Sequence, residues 1–153
     1  MLKKLCNISY IIAIVVIILD KLTKMYALAH FKLGVAKPVF SWLNYTLLYN
    51  KGIAFSLFND GLIWQRWLLI GITVGVICSL IIWIYSQKNK HTLYAMGLIL
   101  GGALGNLWDR INYGMVIDFI DVHYKHWHWP VFNIADAAIC VGAVWILIKL
   151  RRI

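Results

Sequence analysis

Four runs of apolar residues, at 8–30, 67–85, 92–108 and 134–150, constrain this chain more than anything else in it. Each falls within the roughly 17–25 residues that an α-helix needs to cross a hydrocarbon core. A segment at that depth must satisfy its own backbone N–H and C=O groups, so helix is the expected state. The sequence therefore predicts an all-α membrane protein with four transmembrane helices in a single domain spanning 1–153. A hydrophobic fraction of 62 % against a charged fraction of 14 % lies well outside the composition of water-soluble domains.

Basic residues set the expected orientation. Lys3 and Lys4, Lys88 and Lys90, and Lys149, Arg151 and Arg152 flank the runs on alternating sides. This places both termini and the 86–91 link in the cytoplasm, with 31–66 and 109–133 facing outward. The net charge of +9 sits in short clusters between apolar runs and forms no stripe, which excludes nucleic acid as a partner. Lys3 and Lys4 before an apolar run, with Ala27-Leu28-Ala29 behind it, resemble a cleavable signal peptide, but Asp20, Lys21 and Lys24 between them argue against that reading. Cys6, Cys78 and Cys140 are widely spaced and predict neither a disulfide framework nor a thiol site. The outer segments carry Trp42, Tyr45, Tyr49, Trp64, Tyr124, Trp127 and Trp129, the aromatic belt of a surface at headgroup level. Residues 39–49 have β-like alternation, and Asn59-Asp60-Gly61 reads as a turn.

The chain contains no glutamate, so its acids are Asp20, Asp60, Asp109, Asp118, Asp121 and Asp136. With a rise of about 1.5 Å per residue from the cytoplasmic ends, Asp20, Asn106 and Asp136 each reach roughly 18–21 Å into the membrane. Three helices thus deliver polar groups to one layer near the outer face. Ionisable groups at that depth cost about 2.5–3.5 kcal/mol each, which makes function the default explanation. Asp20 and Lys24, four apart, form an architectural ion pair. Asn106, Asp109 and Arg110 follow a glycine-rich run at 101–105 that admits a neighbouring backbone, and Arg110 is placed to clamp a carbonyl or a carboxylate. Asn133 is placed to cap the last helix with Asp136 in its first turn, an arrangement that a structural capping box would also explain. A cap does not explain Asp118, which approaches the same layer from the opposite side.

Two close carboxylates in a low-dielectric site tend to share one proton, leaving one as base and one as acid. Such a pair can activate water against an amide carbonyl without a metal or a covalent intermediate. HExxH is impossible without glutamate, and no GxSxG exists. The interleaved His123, His126 and His128 read as an interfacial loop in preference to a metal-binding tract. A proton-coupled transporter and a non-enzymatic scaffold remain the alternatives to a hydrolase.

The segments DKLTK (20–24), NKGIAF (50–55), GGALGNLWDR (101–110), VIDFID (116–121) and FNIAD (132–136) together resemble the lipoprotein signal peptidase (signal peptidase II) family along nearly the whole chain. Lys21 and Ile53 depart from the family pattern. The resemblance implies Asp118 and Asp136 as a catalytic dyad, with Asp20, Lys24, Asn50, Gly52, Asn106, Arg110 and Asn133 shaping the site. It implies no cofactor and no metal. It further implies a monomeric inner-membrane aspartic endopeptidase, in contact with membrane lipids, that cleaves before a diacylglyceryl-modified cysteine of prolipoprotein substrates. Its outer segments would form a small β-rich cradle and an interfacial helix over 50–58.

Overall fold

The computed structural model describes residues 2–52 and 63–150. Four helices run through it: α1 (Leu2–His30), α2 (Ile63–Ser86), α3 (Lys90–Tyr113) and α4 (Ile134–Leu150). Four strands, β1 (Ala36–Phe40), β2 (Leu43–Asn50), β3 (Val116–Tyr124) and β4 (Trp127–His128), form one antiparallel sheet in the order β1-β2-β3-β4. The sheet is built from the two segments expected to face outward. The 39–49 alternation belongs to a β1–β2 hairpin, and β2 then pairs with β3 so that Leu48 lies opposite Asp118 and Asn50 opposite Val116.

Helix α3 is central and packs against each of the other three. Its sequence explains why. Gly97, Gly101 and Gly105 recur every four residues and form one bare stripe along which α1 lies. A Cβ at Gly101 would sit 2.7 Å from the Ala13 carbonyl oxygen, and one at Gly97 would sit 2.6 Å from that of Ser9. Removing these side chains brings the two backbones together, as small residues do between helices in lipid. Ser9 adds a hydrogen bond from Oγ to the Leu93 carbonyl at 2.8 Å. The apolar core between α1, α2 and α3 includes Ala13, Ile70, Leu93, Met96 and Leu100.

What is inside and what is outside are inverted relative to a protein that folds in water. Asp20, Lys24, Asn106, Asp109, Asp118 and Asn133 are buried, whereas Ile11, Ile18, Leu22, Ile72, Ile82, Val141 and Leu147 are exposed. The large apolar side chains cover the outer faces of the helices, and the polar ones are gathered inside.

The four helices are present, but among the described residues only α2 is long and apolar enough throughout to cross a membrane by length and composition alone. The apolar run of α1 is interrupted by Asp20, Lys21 and Lys24, that of α3 is diluted by glycines, and α4 has 17 residues. Helix α3 continues beyond the 92–108 run to Tyr113 and carries Asp109 and Arg110 at its outer end. Buried Asp109 finds its cation on α1, which makes the extra turn favourable, and Gly114 ends the helix in the left-handed region at φ 74°. The interfacial helix expected over 50–58 lies mostly outside the described residues, and so does Asp60. Asn50 itself is the last residue of β2.

Candidate active site

Helix α4 begins at a reciprocal cap. The Asp136 N–H donates to Asn133 Oδ1 at 2.9 Å, and the Asn133 N–H donates to Asp136 Oδ2 at 3.2 Å. This is the capping box expected from the spacing, with aspartate in the third helical position. It fixes both side chains at once. With Oδ1 engaged by the helix, Asn133 turns Nδ2 toward β3 and donates to Asp118 Oδ1 at 2.6 Å.

Asp118 arrives on β3, where successive side chains alternate between faces. Its neighbours Ile117 and Phe119 pack with Ala27 of α1 and Leu47 of β2, which turns Asp118 away from that cluster and toward α4. Its other oxygen accepts from Asn50 Nδ2 at 3.1 Å. Asn50 is held in turn, since its Oδ1 accepts the Gly52 N–H at 3.0 Å and the Gly52 carbonyl accepts from Arg110 Nη2 at 3.0 Å. Arg110 is therefore a carbonyl clamp, one of its two expected uses. Asp118 is almost wholly buried, and its carboxyl is pushed up to about 7, first by burial and then by the neighbouring Asp136 charge.

Behind Asp136 lies a second polar layer. Asn106 Nδ2 donates to Asp136 Oδ1 at 2.7 Å, and Asn106 Oδ1 accepts from Lys24 Nζ at 3.2 Å. Lys24 also pairs with Asp20 at 2.7 Å and with Asp109 at 2.8 Å, so all three ammonium protons have acceptors. Both carboxylates bind backbone too: Asp20 accepts the Ala135 N–H at 2.9 Å and Asp109 accepts the Ile117 N–H at 3.3 Å. The charges are buried together with their hydrogen bonds complete, the condition under which a buried ion cluster is tolerated. Gly105 leaves room for it, because a Cβ there would lie 2.8 Å from Asp20 Oδ2.

A cavity of about 1020 Å³ opens over the two aspartates. Asn50, Asn106, Arg110, Asp118 and Asp136 line it; Asp20, Lys24, Gly52 and Asn133 do not and act from behind the wall. The rest of the wall is mostly apolar and includes Leu48, Tyr49, Val131, Phe132 and Ile139. A cavity of this size with a few convergent polar groups suits one extended apolar ligand held at a polar centre.

One further cluster, which the sequence alone does not signal, reaches this wall through His128. Asp121, two turns of alternation beyond Ile117, is buried and accepts from Thr46 Oγ1 at 2.9 Å, from Asn44 Nδ2 at 3.4 Å and from His128 Nδ1 at 2.7 Å. Burial alone would raise its carboxyl, but the hydrogen bonds from His128, Thr46 and Asn44 prevail and hold it below the usual range. The antiparallel pairing that joins β2 and β4 to β3 creates this cluster, and no spacing rule in the sequence announces it. His123 and His128 stack at 5.0 Å, and among the described residues no group of three or more metal-type ligands is gathered.

A family model described as signal peptidase (SPase) II matches residues 12–152. A lipoprotein signal peptidase of Polynucleobacter necessarius is 49 % identical over 150 residues, which cover 95 % of this chain and 91 % of that protein. One of Teredinibacter turnerae is 50 % identical over 142 residues, covering 89 % and 84 % respectively. Among solved structures, a bacterial membrane enzyme superposes with a TM-score of 0.85 at 31 % identity, covering 94 % of this chain and 87 % of the other.

Proposed function

The chain belongs to the signal peptidase II family and is an aspartic-type signal peptidase that processes prolipoproteins; on that premise we propose that it cleaves before a diacylglyceryl-modified cysteine with Asp118 and Asp136 as its acid and base. The observation that carries the proposal is the position of Asn133. One asparagine donates to Asp118, exchanges two hydrogen bonds with Asp136, and leaves both carboxylates on the wall of one cavity.

The two aspartates have different surroundings, which support different roles. Asp136 receives N–H donors from Asn106 and from the Asn133 backbone at the positive end of α4, which suits an ionised base. Asp118, buried and raised to about 7, suits the protonated acid. Asp136 takes a proton from a water whose oxygen bonds to the scissile carbonyl carbon, while Asp118 gives its proton to the carbonyl oxygen. The tetrahedral diol then collapses: the C–N bond breaks, the amine nitrogen takes the proton held on Asp136, and a diol hydroxyl returns a proton to Asp118. The dyad ends as it began, so no cofactor is required.

The four helices are read as four membrane spans of one domain, with both termini cytoplasmic and the sheet on the outer side. The exposed apolar faces of α1, α2 and α4 support this, as does the basic bias of Lys88, Lys90 and Lys149. A lipid-anchored cysteine would then meet the dyad near the outer interface, with the enzyme acting as a monomer among lipids. The described part of the 31–66 segment, with its hairpin, belongs to the cradle that grips the substrate, and Arg110 holds its inner end at Gly52.

The test is cleavage of a diacylglyceryl-modified prolipoprotein beside its unmodified form by wild type, Asp118→Asn and Asp136→Asn, each checked for intact folding. Cleavage of the lipidated form by wild type alone is expected, with losses of 10³-fold or more, on the order of what a positioned acid or base contributes. Substantial activity in either variant would remove that residue from the dyad.

A further inference from the structure

Asp121 and His128 lie outside the dyad and its supporting asparagines, yet His128 stands on the wall of the same cavity. The pair is built as a fixed mount. Asp121 is 3 % exposed; Thr46 and Asn44 donate to its Oδ2, and His128 Nδ1 lies 2.7 Å from its Oδ1. The carboxyl is held below its usual range, so it is the acceptor in the 2.7 Å contact and the proton belongs to His128 Nδ1. The ring is further oriented by stacking on His123 at 5.0 Å and by the β3–β4 pairing of His123 with His128.

His128 nevertheless keeps 49 % of its surface exposed. Nε2 is its remaining polar atom, and no partner is found for it among the described residues. Of the other polar side chains on the cavity wall, Asn50, Asn106, Asp118 and Asp136 are hydrogen-bonded to one another or to the groups behind them, while Arg110 is tied to the Gly52 carbonyl through Nη2 and its buried Nε has no partner among the described residues. Nε2 presents a lone pair when the ring is neutral and an N–H when it is charged. A peptide group, which has both a donor and an acceptor, matches it in either state.

We propose that His128, mounted on Asp121, is a substrate-binding residue that hydrogen-bonds a main-chain peptide group of the prolipoprotein on the 128–132 side of the cavity. Asp121 acts through the imidazole and is a positioning residue. The inference rests on the peptidase reading above but assigns no chemistry to His128: the bond it makes is present before and during cleavage and lowers KM without being needed for kcat.

The experiment uses the full chain in detergent with a lipidated prolipoprotein peptide and compares wild type with His128→Ala, His128→Gln, Asp121→Asn and the Asp121→Asn/His128→Ala double variant. Loss of one such hydrogen bond is expected to raise KM roughly 5–10-fold with kcat within about twofold. His128→Gln, which keeps a polar atom near the Nε2 position, should recover most of the loss. Asp121→Asn should add nothing in the His128→Ala background. Substrates with single amide-to-ester replacements near the cleavage site locate the partner: one replacement should weaken wild type but not His128→Ala. An unchanged KM in His128→Ala, or losses that simply add for every ester substrate, would overturn the subsite while leaving the peptidase intact. Failure of folded wild type to cleave the lipidated peptide at all would overturn the peptidase reading and the subsite with it.

Discussion

Lys24 Nζ donates to Asn106 Oδ1 at 3.2 Å, and this contact, with that from Asn133 Nδ2 at 3.2 Å, decides which end of the Asn106 amide faces Asp136. An asparagine can present an oxygen or an NH₂ group to a carboxylate, and only the NH₂ stabilises it. Because the ammonium holds the oxygen, the nitrogen is left for Asp136 Oδ1. The buried cation on α1 thus reaches the candidate base through one side chain.

Lys24→Met is therefore expected to act on two observables. Without the ammonium, Asp20 and Asp109 remain buried and unpaired, which costs about 3–5 kcal/mol and lowers the thermal midpoint. Adding Asp20→Asn and Asp109→Asn should recover much of that stability but not the cleavage rate, because Asn106 Oδ1 then keeps only the Asn133 Nδ2 donor and is held less firmly. Recovery of full activity in the triple variant would show that Lys24 serves folding alone.

The raised Asp118 carboxyl predicts a pH dependence with a definite sign. A protonated acid is available below about pH 7 and is lost above it, so kcat/KM for the lipidated peptide should fall as pH rises through that value. The same group binds more protons folded than unfolded between the ordinary carboxylate value, about 4, and about 7. Its contribution to stability is full below that window and disappears as pH rises through it. Thermal midpoints of wild type should decline across the window more steeply than those of Asp118→Asn; parallel curves would contradict the assignment.

Cys140 lies one turn beyond Asp136 on α4 and lines the same cavity, whereas Cys78 is exposed on α2 away from it. In a Cys6→Ser background, a bulky methanethiosulfonate reagent should abolish cleavage by reaction at Cys140, with protection by substrate. Cys140→Ser should stay active and resist the reagent, and Cys78→Ser should remain as sensitive as its parent. Inhibition that survives Cys140→Ser would place the cavity elsewhere.

Gly105 and Gly71 make a matched pair for testing the close approach of α1. A methyl at Gly105 would lie 2.8 Å from Asp20 Oδ2, while one at Gly71 meets nothing within 4 Å. Gly105→Ala should destabilise by about 1–3 kcal/mol through overpacking and reduce cleavage by disturbing the Asp20–Lys24 pair. Gly71→Ala should leave both measurements nearly unchanged. Equal effects would mean that the glycines matter only for helix propensity.

Much of the architecture was legible because it follows from local rules. Apolar run length predicts the helices, the 39–49 alternation predicts strand, and the Asn133–Asp136 spacing predicts the cap. The glycine run at 101–105 announced a close helix pair, although Gly97 extends the stripe a turn further. The end of α3 at Tyr113 does not follow from the apolar run, because the partners of Asp109 and Arg110, Lys24 and the Gly52 carbonyl, are not visible in the spacing. These partners lie far away in the chain.

The sequence by itself determined that aspartates and asparagines must be buried among apolar helices, since hydropathy and the absence of glutamate depend on residue type alone. The tertiary structure decided which of them touch. Asn50 meets Asp118, Lys24 meets Asn106, and Asp121 meets His128 only because sheet register and helix packing bring distant segments within hydrogen-bond range. A hydrogen bond is directional and effective over about 3 Å, whereas spacing along a chain constrains position only within one helix or strand.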